Sequence, residues 1–322
     1  MTRALRAELR RIRLRTVTWL VLGLLLVVAV GFVVTAWDDA RPRTAAEVAA
    51  AHEAYESDVR RMDEMMATCR VMLAESPDSG LDCDIEPAPE SSYLWTGRSF
   101  DEALTEATGG LAVPLAVAAL VAAVSFVTAE FGARTIAPWL VVVPRRGRVV
   151  LSKTSAAALV SVPGALVTVL ATVAGLTALY AGFGRPLASG YVWTEVTGQV
   201  GREIVLVVLA AVAGTGLAFA LRHATAVLGV LVWWVVAIEV TLPVVLPRGT
   251  PLTVATNANA WLEGGTTYFL QECGPDPENA ALRLCQDVEH TVSAVQGLDV
   301  LVVLVVLVAL CGALVFRQRD VV

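Results

Sequence analysis

The sequence predicts an all-α polytopic membrane protein with six transmembrane helices, both termini cytoplasmic, and a large extracytoplasmic loop between the first two spans. Three observations carry that expectation. Hydrophobic residues make up 56% of the chain against 17% charged, with a mean hydropathy of +0.67, a balance that a protein surrounded only by water does not sustain. Six apolar runs approach or exceed the roughly 20 residues that a helix needs to cross a hydrocarbon core of about 30 Å. Dense arginine clusters precede the first run and fill the connection between the second and third, placing both on one face.

The runs cover residues 17–36, 111–128, 156–180, 204–221, 224–246 and 298–316. Lipid offers no hydrogen-bond partner to the backbone, so each run is expected to be helical. The first passes straight into Trp37, Asp38 and Asp39 without a small-residue cleavage site, and reads as a retained anchor. Ahead of it, residues 1–16 place Leu5, Leu9 and Ile12 at helical spacing among arginines. That pattern predicts an amphipathic entry helix in the inner headgroup layer, with a solvated basic tail as the alternative.

Orientation follows from Arg3, Arg6, Arg10, Arg11, Arg13 and Arg15 before span one, and from Arg134, Arg145, Arg146, Arg148 and Lys153 between spans two and three. Both segments are expected in the cytoplasm, as is the tail Arg317 to Asp320. Residues 37–110 and 247–297 then lie outside. Of the 30 Asp and Glu residues, this topology leaves Glu8, Glu130 and Asp320 on the cytoplasmic side, so the net charge of -6 belongs to the outer loops. No nucleic-acid footprint survives that division.

The outer loop from Ala45 to Glu75 is rich in Ala, Glu, Met and Arg without Gly or Pro, which predicts one long exposed helix or two shorter ones, ending before Pro77, Asp78, Ser79 and Gly80. Cys69 and Cys83 share this loop, and Cys273 and Cys285 share the second. An oxidising exterior makes the local pairings the simplest of three, with free thiols as the alternative; Cys311 reads as a small apolar residue in span six. Pro163 and Gly164 are expected to kink span three, and Leu221, Arg222 and His223 leave room only for a tight turn between spans four and five.

Several chemistries are excluded. A phosphate-cradling loop ends in Lys followed by Ser or Thr after a Gly-rich turn, and the chain's sole lysine, Lys153, follows Val149, Val150, Leu151 and Ser152. His52, His223 and His290 lie outside the apolar runs and no His-Glu-x-x-His stretch occurs. No catalytic residue, metal site or cofactor is therefore expected. Glu239 is the ionisable residue that stands well inside a run, and a carboxylate at that depth needs a partner. Arg202, in the same leaflet at the mouth of span four, is the expected partner, with a contact to a cationic substrate as the other reading.

The segment 130–153 is the most informative stretch. It opens Glu130, Phe131, Gly132, Ala133, Arg134, Thr135, Ile136 and closes Pro144, Arg145, Arg146, Gly147, Arg148 ahead of Lys153, with Trp139, Leu140 and three valines between. A loop serving only the positive-inside rule needs no amphipathic middle of this length; this one is built to dock.

Here the chain resembles permeases of the bacterial type-2 ATP-binding-cassette exporter family. In their first intracellular segment an acidic residue and an aromatic precede a Gly-Thr pair, and Pro-Arg-Arg precedes a Lys opening span three. Glu130, Phe131, Thr135, Pro144, Arg145, Arg146 and Lys153 fit that pattern; Arg134 stands where the family more often has Gly. The start, Ala7, Glu8, Leu9, Arg10 with Thr16, Thr18 and Trp19, is similar to the family's entry helix, and Phe316, Arg317, Gln318, Arg319, Asp320 to its aromatic, Arg-Arg-Asp finish. The likeness covers most of the chain outside the two outer loops.

The resemblance implies a permease subunit in a bacterial plasma membrane. Its partners would be a second permease copy or a related permease, a cytoplasmic ABC ATPase subunit, and the lipid bilayer. Residues 130–153 would be the ATPase-coupling element. Spans of Val, Leu and Ala favour an amphiphilic cargo. A non-transporting membrane scaffold or sensor with a disulfide-stapled exterior is the alternative, and a proton-coupled carrier a weaker third, since such carriers use several intramembrane carboxylates.

Overall fold

The computed structural model describes residues 2–75, 82–83, 85–86, 88–94, 97–133, 145–187, 190–275 and 283–318. It is a multi-pass helical membrane protein: six helices are long and apolar enough to cross a membrane, Thr16–Ala40, Phe100–Gly132, Arg146–Gly182, Gly190–Leu221, Ala224–Val245 and Ala294–Gln318. Every predicted apolar run falls within or on one of them. The helices overrun the runs, however. Span two starts at Phe100 because Ser99 and Glu102 form a capping box, adding turns at its start that carry Asp101, Glu102 and Glu106.

In chain order the elements are α1 (Thr2–Arg13), α2 (Thr16–Thr35, prolonged by the turn Trp37–Ala40), α3 (Ala45–Glu75), α4 (Phe100–Gly132), α5 (Arg146–Gly182), α6 (Gly190–Leu221), α7 (Ala224–Trp234), α8 (Val254–Glu263), β1 (Gly265–Pro275), β2 (Arg283–Ser293) and α9 (Ala294–Gln318). Span five is α7 continued by a π-helical stretch, Val235–Val240, and a final α-turn, Thr241–Val245. The α6–α7 turn is as tight as expected, and Arg222 takes a left-handed φ of 62° to make it. α5 is assigned as one helix through Pro163.

Helices run up and down, so two packed layers form at opposite ends. At the amino-terminal end Ile12, Phe126, Val127, Ala156, Ala218, Phe219 and Phe316 cluster; at the other, Ala36, Ala40, Phe100, Leu176, Tyr180 and Val192 do. Between them, small residues let backbones touch. A Cβ on Gly214 would sit 2.7 Å from the Leu120 carbonyl, and Gly216 faces Gly312 across α6 and α9.

Two excursions leave the end that carries Ala36 and Tyr180. α3 is a single 31-residue helix, as one of the two expectations had it, with no buried residue. The Cys69–Cys83 disulfide staples its end to the following chain, and Tyr93 and His52 meet Asp58 and Glu90 across the same fold-back. The second excursion departs from the all-α expectation: β1 and β2 form an antiparallel hairpin in which Cys273 opposes Cys285, and a disulfide joins them. Thr266, Tyr268, Val288 and Val292 supply the β-branched and aromatic content that strands favour.

Candidate functional site

The helices assemble a buried ionic knot at the amino-terminal end. α1 packs on the bundle through Leu5, Leu9 and Ile12. Glu8 lies three residues after Leu5 and four before Ile12, so it shares their face and is carried inward with them. Lys153, in the second turn of α5, and Glu130, near the end of α4, arrive from two other helices. Glu8 and Lys153 are fully buried and Glu130 is nearly so.

Lys153 Nζ donates to Glu8 Oε1 at 3.2 Å and Oε2 at 3.3 Å, and pairs with Glu130 Oε2 at 2.7 Å. It also stands 4.6 Å from the Phe126 ring centroid, within cation–π range. Arg11, half exposed, reaches Glu130 Oε1 at 3.8 Å, so two carboxylates meet two cations and the knot is neutral. Sequence reading placed Glu130 and Lys153 in the docking segment but gave Glu8 no partner. The signal was there: Glu8 falls in register with Leu5 and Ile12, and few acids share its side.

Phenylalanines wall the knot. Phe131 packs edge-on against Phe219 at 6.2 Å and Phe316 at 6.1 Å, joining the ends of α4, α6 and α9. Arg222 stacks over Phe131 at 5.4 Å. Arg146 Nη1 donates to the Phe316 and Arg317 carbonyls at 3.0 and 3.2 Å, occupying acceptors left by the end of α9. Arg145, one residue earlier at the α5 N-cap, is exposed. The two arginines thus differ: Arg146 is built into the bundle, while Arg145 faces outward. Arg134, Thr135 and Pro144 of the predicted segment lie outside the described residues.

The expected Arg202–Glu239 pair is not formed; a helix stands between the two charges. Glu239, in the π-helical stretch, accepts from Trp234 Nε1 at 2.8 Å and from the amides of Val254 and Ala255, both at 2.9 Å. Those amides are the first two of α8, where a negative charge is favoured. Arg202 Nη1 donates to the Leu262 carbonyl at 2.9 Å, at the other end of α8, and Trp261 Nε1 returns a bond to the Arg202 carbonyl at 2.9 Å. The acid holds the positive end of the helix dipole and the base the negative end. Both charges reach the same helix, and α8 satisfies them separately.

Glu203 on α6 is a buried carboxylate within a spanning helix that the reading of Glu239 alone missed, as it missed Asp299, exposed near the start of α9. Glu203 is 1% exposed, and among the described residues neither oxygen has a hydrogen-bond donor. The apolar run begins at residue 204, one position past it, although Val196, Glu203 and Val207, spaced by seven and four, share one buried face. Among the described residues no group of three His, Cys, Asp or Glu side chains could hold a metal ion. Comparison with known protein families, curated proteins and solved structures returns no match to this chain.

Proposed function

We propose that the chain is the permease subunit of a bacterial ATP-binding-cassette exporter, moving an amphiphilic substrate with energy from separate ATPase subunits. Residues 130–153 then face the cytoplasm with both termini, and the stapled excursions lie outside. One observation carries the reading: the knot of Glu8, Glu130, Lys153 and Arg11 ties the roots of the 130–153 segment to α1, in the middle of the resemblance described above. Coupling requires differential contacts in two states, and a segment anchored at both roots passes a push on its tip to α4 and α5 together. Exposed Arg145 is the contact offered to the motor, and Arg146 keeps the segment on the bundle.

The test is purification of the full chain from its native host in mild detergent. A span-less ATPase with a phosphate-binding loop is expected to accompany it, with ATP hydrolysis that Arg145→Glu lowers at least about tenfold while the variant remains folded. Absence of any such subunit contradicts the proposal.

The second reading, a membrane scaffold or sensor, draws on the two stapled excursions, α3 without a buried residue and the hairpin with Phe269 exposed. Such surfaces suit an extracellular ligand. Loss of a signalling output on deletion of residues 45–90, with no ATPase subunit accompanying the full chain, favours that reading.

A further inference from the structure

Between α2, α4 and α5 lies a groove of about 420 Å³, within the roughly 300–1,000 Å³ typical of ligand clefts. Its walls are apolar, with Leu25 on α2, Ala118 and Ala122 on α4, and Pro163 and Val167 on α5. The gap exists because short side chains on α4 do not fill the space beside α2.

One end differs chemically, since Arg13, Arg15 and Trp19 line it. Arg15 Nη1 donates to the Ser125 and Phe126 carbonyls at 3.2 and 3.3 Å, and its guanidinium lies 5.3 Å from the Phe126 centroid. Trp19 Nε1 donates to the Arg13 carbonyl at 2.9 Å, holding an amphipathic ring at the same level. A guanidinium has several donors in a fixed fork, so bonds from Nη1 leave Nε and Nη2 for another acceptor. Ten residues separate Arg15 from Leu25, which at about 1.5 Å per residue is about 15 Å, half of a hydrocarbon core of about 30 Å. The groove is therefore one leaflet deep, apolar along its length and cationic at its lip.

We propose that this groove holds an acyl chain of an anionic phospholipid whose phosphate is bound by Arg13 and Arg15. A zwitterionic lipid fills the walls and also offers a phosphate, but it brings its own cation to a lip already held by two arginines, whereas an anionic lipid brings net negative charge there; a free phosphate answers the arginines and leaves the walls empty. The inference does not rest on the exporter reading.

The test uses the full chain in phosphatidylcholine vesicles containing either chain-brominated phosphatidylglycerol or chain-brominated phosphatidylcholine. Quenching of Trp19 is read as the difference between wild type and Trp19→Phe. The anionic lipid is expected to quench at an about 25-fold lower mole fraction, about fivefold from each of the two arginines. Arg13→Gln with Arg15→Gln removes that preference, and Ala122→Leu, which fills the groove, weakens quenching by both lipids. Equal quenching by the two lipids in the wild-type protein overturns the proposal, as does a preference that survives loss of both arginines. The wild-type comparison decides the matter even if a variant fails to fold.

Discussion

At one end of the bundle Lys153 is enclosed by carboxylates from two other helices, whereas at the other end Glu239 and Arg202 meet backbone groups at the two ends of α8. The difference is one of interdependence. In the knot each charge is the counter-ion of another, so removing one strands its partners in a dry site. Around α8 each charge answers a partial charge of about half a unit, and its loss exposes only one or two backbone groups.

The largest expected effect follows from breaking the knot. Lys153→Met leaves Glu8 and Glu130 buried beside each other, and is expected to destabilise the protein by about 3–5 kcal/mol, read as earlier thermal unfolding in detergent. Adding Glu8→Gln and Glu130→Gln to Lys153→Met is expected to recover most of that loss, since the set then buries no charge and half-exposed Arg11 is left to solvent. A triple variant no more stable than the single one contradicts the account of the knot.

The α8 clamp is expected to yield less. Glu239→Ala orphans the amides of Val254 and Ala255 and should cost about 2 kcal/mol; Arg202→Met should cost about 1 kcal/mol. Their effects should add when combined, because the two side chains do not touch. A strong coupling between them, measured by a double-mutant cycle, would mean that they pair after all.

The smallest effect lies in the exposed excursion. The His52 imidazole is held protonated above its ordinary range, first by its hydrogen bond to Glu90 and then by the charges of Glu90 and Glu56. A raised value in the folded state means that the contact stabilises fully below the unfolded value of about 6.5 and is lost as pH rises through the folded value. Hydrogen exchange around Glu90 is therefore expected to show more protection at acidic than at alkaline pH, after correction for the intrinsic rate. His52→Asn is expected to abolish the difference.

The spans were legible because a bilayer imposes length and apolarity on any helix that crosses it. The α3 helix was legible from its lack of Gly and Pro, and the disulfides from locality. The early start of α4 was not, because its first turns are fixed by the Ser99–Glu102 capping box and not by apolar residues. The hairpin escaped notice because strands among polar outer-loop residues give a weak pattern. The Arg202–Glu239 error has a general cause: counting spans places charges at a depth but does not show that α8, a short helix between spans five and six, supplies backbone partners to both. Glu8 was readable from its register with Leu5 and Ile12, but its burial emerges only when α1 docks on α5.

The most direct measurement of the central claim concerns the exposed start of α5. Arg148→Cys, in a Cys311→Ser background, can be treated with a membrane-impermeant maleimide in intact cells and in inverted membrane vesicles. The account predicts labelling only in inverted vesicles, and protection of the site when the ATPase subunit is present. Labelling in intact cells, or equal labelling with and without the motor subunit, would contradict it.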